Sequence, residues 1–308
     1  MQPSDTYSQP HAADPVLDER TVLNIVHRHG VSCSAVTSID ETGGEARAYV
    51  LDENLVLKAQ RPHRLRPRTS LAKEAFFLRQ LATYPDIVVP HMLGYGRHDT
   101  IEYIVMTRMS GVPALTVELT GAQRTHVLHQ LGRTLRRLHS IPQAPFYGSA
   151  LFPGNRTQEE FVERVRATLA HAVQVIGATP NLWHLDVAPA DLASRALAAL
   201  PASVDLVALH SNPGPVHTFV QPETLDFVGL IDFGDAYISH PALDWRWPTH
   251  ADRVALLHGY CGETPATDEF IAAWHAVLVL SDMLALATRL ETRPQALERL
   301  RDLLTTLA

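Results

Sequence analysis

Hydrophobic positions along this chain follow one period and then another. Residues 18–30, DERTVLNIVHRHG, carry helical spacing and close on Gly30. Three short runs come next, SAVTSID (34–40), ARAYVLD (46–52) and LVLKAQR (55–61), and their composition predicts strands. Glu41-Thr42-Gly43-Gly44 and Asp52-Glu53-Asn54 supply the turns between them. LAKEAFFLRQLAT (71–83) returns to helical spacing, with Leu71, Ala75, Leu78 and Leu81 on one stripe. Residues 103–106 predict another strand, ahead of the turn signal Ser110-Gly111-Val112-Pro113. Beyond that point the pattern predicts helices over 122–139, 158–177, 188–200, 268–288 and 294–307. One stretch interrupts them: 207–235 reads strand, polar loop, strand, turn, strand, loop. Loops held on a rigid helical scaffold are a common seat of function. The expected architecture is α+β, with a flexible tail at 1–16, a β-rich small lobe over 17–110 and a mostly helical large lobe over 111–308. A short linker is expected near 108–116.

Composition narrows the field. At 308 residues the chain exceeds what one core usually absorbs, which fits two lobes. Apolar residues make up 46% and charged residues 19%, a globular balance. The formal charge of −7 argues against nucleic acid as a partner and suits a cationic or neutral small molecule. Cys33 and Cys261 stand alone without a CxxC partner, so neither a disulfide framework nor a structural zinc site is expected. A reducing, cytoplasmic setting fits that usage, and the polar start MQPSDTYSQPHAADP lacks the apolar core of a signal peptide. The greasiest stretch, 271–287, is interrupted by His275 and Asp282, so it reads as a buried helix and not a membrane span. His126 and His129 share a helix face, but no third ligand lies near them in sequence to make a zinc site.

Three local signals carry candidate chemistry. Lys58 is the one charge inside its strand, and Glu74 follows on the next helix. His210-Ser211-Asn212-Pro213-Gly214-Pro215-Val216-His217 forms a polar loop, and Ile231-Asp232-Phe233-Gly234-Asp235 follows a short strand. Each has a plain reading by itself. Lys58 would serve as an edge-strand guard against aggregation, Gly43-Gly44 as an ordinary hairpin turn, and Asp232 as a turn residue. The basic run 61–68 and Lys73 read as solvated surface, the run also being placed to steer phosphates. It is the order and separation of the three signals that is hard to reach by chance.

In that order the residues resemble the aminoglycoside phosphotransferase and choline-kinase group, relatives of protein kinases that phosphorylate small molecules. The family phrase HxDxxxxN aligns with 210–217, the phrase I-D-[FW]-G/E-D with 231–235, and GDPxxD with 239–244, where His240 replaces the first acid and Asp244 is kept. LGRTLRRLHSIP (131–142) is similar to the family's helix that ends in an LHxxP-like phrase. The likeness spans about 20–290 and implies a two-lobed, protein-kinase-like fold. It implies that Lys58 meets the phosphates of ATP or GTP with Glu74 holding it, and that the Gly43-Gly44 turn lets backbone N–H groups approach them. Met106 then occupies the gatekeeper position, and backbone groups of Thr107 and Met109 meet the purine edge. Asp232 holds Mg²⁺, or Mn²⁺ in its place, with His217 in the second metal position, and His210 supports the loop.

Two positions depart from the family pattern. Asn212 falls where the catalytic aspartate is expected; its carbonyl accepts a hydrogen bond but cannot take a proton. His217 falls on the metal-binding asparagine, and imidazole suits softer metals than Mg²⁺. The implied activity is phosphoryl transfer from ATP or GTP to a hydroxyl of an aminoglycoside- or macrolide-like acceptor, impaired to the extent that Asn212 matters. A nucleotide-binding pseudo-kinase is the alternative, while a protein kinase is disfavoured because no APE-like segment follows 232–234. The acceptor is expected beside the 210–217 loop and the C-terminal helices, where Asp252, Glu263, Asp268 and Asp282 would favour an aminosugar or polyamine.

Overall fold

The computed structural model describes residues 7–67, 69–202 and 205–307. Residues 1–6 of the expected tail and Arg68 of the basic run lie outside the described residues. The chain divides into two compact units, one running to Glu118 and resuming over Pro215–Ala236, the other formed by Leu119–Gly214 and the residues from Tyr237 onward. The segment 215–236 therefore belongs with the first unit, although it follows the start of the second in sequence.

In the first unit helix α1 (Glu19–His27) starts on Asp18, whose side chain accepts from the Thr21 amide at 2.7 Å. Strands β1 (Val36–Asp40), β2 (Ala46–Leu51), β3 (Leu55–Gln60), β4 (Met92–His98) and β5 (Ile101–Thr107) form an antiparallel sheet in the order β1-β2-β3-β5-β4. Tyr49, Leu51, Leu57, Ala59 and Val105 pack with Val22, Ile25 and Val26 of α1 in one buried cluster. Because successive side chains alternate across a strand, burying Leu57 and Ala59 on that face sends Lys58 to the other. There it meets α2 (Leu71–Leu81), which Ser70 caps by accepting from the Lys73 amide.

A strand at 92–98 is not foreshadowed by the hydrophobic pattern, since its run MLGYGRH holds two glycines and two basic residues. Gly94 is required by proximity: a Cβ there would stand 2.3 Å from the His29 ring. The surface readings of Lys73 and Arg61 also fail. Lys73 is 4% exposed and Arg61 6% exposed, Arg61 being fastened to Asp14 at 2.8 Å. Asp14 also binds Arg47 at 3.1 Å, so the end of the expected tail is tied to β2.

Strand β6 (Val112–Pro113) occupies the predicted turn. It pairs with β8 (Thr218–Val220), which pairs with β9 (Phe227–Leu230), all within the first unit. The second unit holds the two-stranded sheet of β7 (Val207–Leu209) and β10 (Tyr237–Ser239). Its helices are α3 (Gly121–His139), α4 (Ala144–Tyr147), α5 (Gln158–Ala178), α6 (Pro189–Ala198), α7 (His250–Cys261), α8 (Asp268–Thr288) and α9 (Arg293–Leu307). Capping boxes at Thr120/Gln123, Thr157/Glu160 and Thr249/Asp252 start α3, α5 and α7.

Helix α8 is long and apolar enough to cross a membrane, yet 61% of its most apolar window is buried within the protein. Asp282 at its centre is fully buried and bound by Arg253 and Arg299. Helix α7 escapes the sequence pattern because its inward face carries Asp252 and Arg253, both buried and ion-paired. Gly259 near its end lets it approach α3, since a Cβ there would lie 2.3 Å from the His129 carbonyl oxygen.

Candidate active site

The first unit gathers Lys58, Glu74, His217 and Asp232 from four distant points of the chain. Lys58 Nζ donates to Glu74 Oε2 at 2.7 Å and to Asp232 Oδ1 at 2.9 Å. His217 Nε2 lies 3.3 Å from the other oxygen, Asp232 Oδ2. Glu74 is 1% exposed and Asp232 39%, so the group runs from a buried anchor to an open carboxylate. Burial opposes the Lys58 ammonium, but the carboxylates of Asp232 and Glu74 outweigh it and hold its pKa above the ordinary lysine value. Burial pushes the Glu74 carboxyl up, and the Lys58 ammonium pulls against that rise.

Local structure explains why Asp232 reaches this position. It takes the left-handed region at φ +72°, a conformation that costs a non-glycine residue about 1–3 kcal/mol. Phe233 is buried and its ring stands 4.8 Å from that of Phe77 on α2. The Ser70 amide donates to the Gly234 carbonyl at 3.2 Å, and Thr69 donates to Asp235. The start of α2 and the 232–235 turn are thus fastened together, which sets Glu74 and Asp232 on either side of Lys58.

Gly43 and Gly44 sit in the exposed β1–β2 turn, and neither adopts positive φ. A Cβ on Gly44 would meet open space, while one on Gly43 would stand 3.1 Å from the Ala46 carbonyl oxygen. Met106 is buried near the end of β5, opposite Val56 and Met92. The Thr107 amide is already committed to the His91 carbonyl at 2.9 Å, whereas the Met109 amide donates to no acceptor among the described residues.

Asn212 and His210 lie in the second unit, where Asp244 organises their loop. The fully buried Asp244 carboxylate accepts from the His210 amide at 2.9 Å, the Ser211 amide at 2.6 Å and His139 Nε2 at 3.0 Å. His139 Nδ1 lies 3.2 Å from the Tyr260 hydroxyl. Ser211 takes φ +79°, the Asn212 amide donates to His210 Nδ1 at 3.2 Å, and the Asn212 side chain is exposed. Trp247 Nε1 donates to the Pro213 carbonyl at 3.1 Å. His210 is fully buried, and its Nδ1 takes up the Asn212 amide within the loop.

The profile of the phosphotransferase enzyme family matches residues 40–275, which includes every residue of both clusters. This chain belongs to the phosphotransferase enzyme family. No curated protein matches it by sequence. Among solved structures it is similar to the GDP complex of aminoglycoside 2'-phosphotransferase-IIIa, with TM-score 0.61 and 16% identity over 94% of this chain and 98% of that one. It is also similar to macrolide 2'-phosphotransferase MphH from Brachybacterium faecium, with TM-score 0.57 and 22% identity over 91% and 97%. Macrolide 2'-phosphotransferase type I gives TM-score 0.58 and 16% identity over 94% and 99%. At these identities the likeness establishes the kinase-like α+β fold.

Within this phosphotransferase the acids expected to attract a polycationic acceptor are partly spent elsewhere. Asp252 is bound by Arg124 and caps α7, and Asp282 is bound by Arg253 and Arg299. A pairing cation cancels the attraction that a free carboxylate would exert. A cavity of about 680 Å³ opens in the helical unit beside His139, Tyr260, Cys261 and Phe270, and none of the expected site residues lines it. Asp244 and His139 were visible as motif letters only; their role as the loop's support follows from the hydrogen bonds. In sequence Arg66 reads as surface charge and Asp235 as the end of a motif, yet the two are bonded at 3.1 Å.

Proposed function

We propose that this chain transfers the γ-phosphoryl group of ATP or GTP to a hydroxyl of an aminoglycoside- or macrolide-like small molecule, in the cytoplasm. The observation that carries the reading is the triad in which Lys58 meets both Glu74 and Asp232 within hydrogen-bond reach. Two unpaired cysteines are in keeping with a reducing compartment.

Lys58 is the resident cation for the nucleotide phosphates, and buried Glu74 fixes its direction. The Met109 amide is an unspent donor for the purine edge, and the Thr107 side chain and amide brace the end of β5 against His91. Among the described residues no three metal-binding side chains cluster. Magnesium is commonly held by one or two carboxylates together with substrate phosphates, and the open Asp232 carboxylate fits that mode. When bound, Mg²⁺ supplies charge to the phosphoryl oxygens. His217, with a nitrogen donor, is less suited to Mg²⁺ and better placed to orient Asp232.

In the transfer the acceptor oxygen forms a bond to Pγ while the bond from Pγ to the β–γ bridging oxygen breaks. The nucleoside diphosphate leaves with that electron pair, and the acceptor hydroxyl loses its proton. Asn212 accepts a hydrogen bond from the hydroxyl and orients it, but the proton passes to solvent. Because the transition state is loose, most of the acceleration comes from positioning and charge, and a slow reaction survives. The second reading is a nucleotide-binding pseudo-kinase, which Asn212 favours. Phosphate transfer from labelled ATP and GTP to a panel of aminoglycosides and macrolides separates the two. Asn212→Asp is expected to raise transfer by about 10²- to 10⁴-fold. Nucleotide binding with no transfer by either form selects the pseudo-kinase.

A further inference from the structure

We propose that Arg66 grips the terminal phosphate of the bound nucleoside triphosphate and so discriminates triphosphate from diphosphate. The inference rests on the donor site proposed above and adds a residue to it. Arg66 spans two features of that site. Its Nε donates to Glu45, which adjoins Gly44 in the β1–β2 turn. Its Nη2 donates to Asp235 Oδ2 at 3.1 Å, in the turn that begins with Asp232. If the glycine turn covers the phosphates and Asp232 faces their outer end, the Arg66 guanidinium stands beside that outer end.

The side chain is built to hold this place and still reach a ligand. Thr69 donates to the same Asp235 carboxylate, and the Ser70 amide donates to Gly234 at 3.2 Å, so the strap carrying Arg66 is pinned to the 232–235 turn. The Arg66 side chain is nonetheless 46% exposed, and its Nη1 group donates to no acceptor among the described residues. A guanidinium offers five N–H donors in a planar fork that matches phosphate oxygens. Lys58 pairs with Glu74 and Asp232, and Arg66 pairs with Glu45 and Asp235. Lys58 is already shared between two of those acids. Arg66 is shared between two acids as well, but its fork keeps the Nη1 group uncommitted among the described residues. A diphosphate, lacking the outer group, would not engage it.

Titration calorimetry on the full chain tests this with Mg²⁺, ADP and the non-hydrolysable imido analogue of ATP, the guanine pair being run in parallel. Arg66→Gln is expected to weaken the triphosphate analogue about tenfold, or about 1.4 kcal/mol, and to change the diphosphate by less than about twofold. Arg66→Lys, which keeps the charge but not the fork, is expected to recover part of the loss. Melting temperatures of the same samples show whether each variant is folded. If Arg66→Gln is not, the triphosphate-selective deficit of Arg66→Lys carries the test. Equal losses for both nucleotides, or none for either, would make Arg66 a strut between Glu45 and Asp235 and overturn the inference. A wild-type chain that binds neither nucleotide overturns the donor-site reading as well, a result distinct from normal binding that ignores Arg66.

Discussion

Lys58 illustrates how much one side chain carries here. Its ammonium neutralises Glu74, which is 1% exposed, and without it that carboxylate is left buried beside Asp232. Removing one partner of a buried pair typically costs about 3–5 kcal/mol. Lys58→Met is therefore expected to lower the melting temperature markedly and to abolish nucleotide binding. Lys58→Met combined with Glu74→Gln should regain stability but not binding, a split that thermal melts and nucleotide titrations read separately. Asp244 makes a contrasting case, since its three donors belong to the other unit. Asp244→Asn loses at least one acceptor for the His210 and Ser211 amides. It should depress kcat of Asn212→Asp at least tenfold while leaving nucleotide affinity within about twofold, because Lys58 and Asp232 are untouched.

Among the elements, short 3₁₀ turns and helix caps do much of the positioning. His240 caps the short 3₁₀ helix Pro241–Asp244, accepting from the Ala242 amide at 3.2 Å. Burial, with a smaller push from His139, lowers its pKa from 6.5 to about 3. Between those values the unfolded chain binds a proton that the folded one refuses. Stability should therefore fall as pH drops from 6.5 toward 3, by about 1.4 kcal/mol per pH unit from this group. His240→Asn keeps a capping acceptor and should flatten that slope in urea melts taken across the range.

What the sequence makes legible at this scale follows from its physics. Strands β2 and β3 and helices α2, α3 and α5 carry clean periodicity, because one face of each meets a core. Strand β4 and helix α7 do not. The first trades side chains for glycine where His29 presses on Gly94, and the second turns a buried Asp–Arg face inward. Likewise Lys58, Glu74 and Asp232 stand out as types in order, whereas Arg66 and His139 acquire meaning only from partners far along the chain.

For the whole molecule, the family profile and the fold agree with a phosphotransferase, and the ion pairs bear on what it accepts. Asp282 holds Arg253 at 2.6 Å and Arg299 at 2.8 Å deep in the helical unit. Asp282→Asn is expected to destabilise the protein by about 3 kcal/mol with nucleotide binding unchanged, as a structural acid should. An Asp282→Asn variant of full stability that lost affinity for aminoglycosides would reassign it to the acceptor. The proposed function rests on Lys58, Glu74 and Asp232 forming a metal-assisted nucleotide site. Calorimetric titration of ATP and GTP into the wild type and Asp232→Asn, with and without Mg²⁺, tests it most directly. Wild-type binding should strengthen with Mg²⁺, and Asp232→Asn should lose at least tenfold in affinity together with the metal dependence. Absence of binding by the wild type, or binding indifferent to both the metal and Asp232, would contradict it.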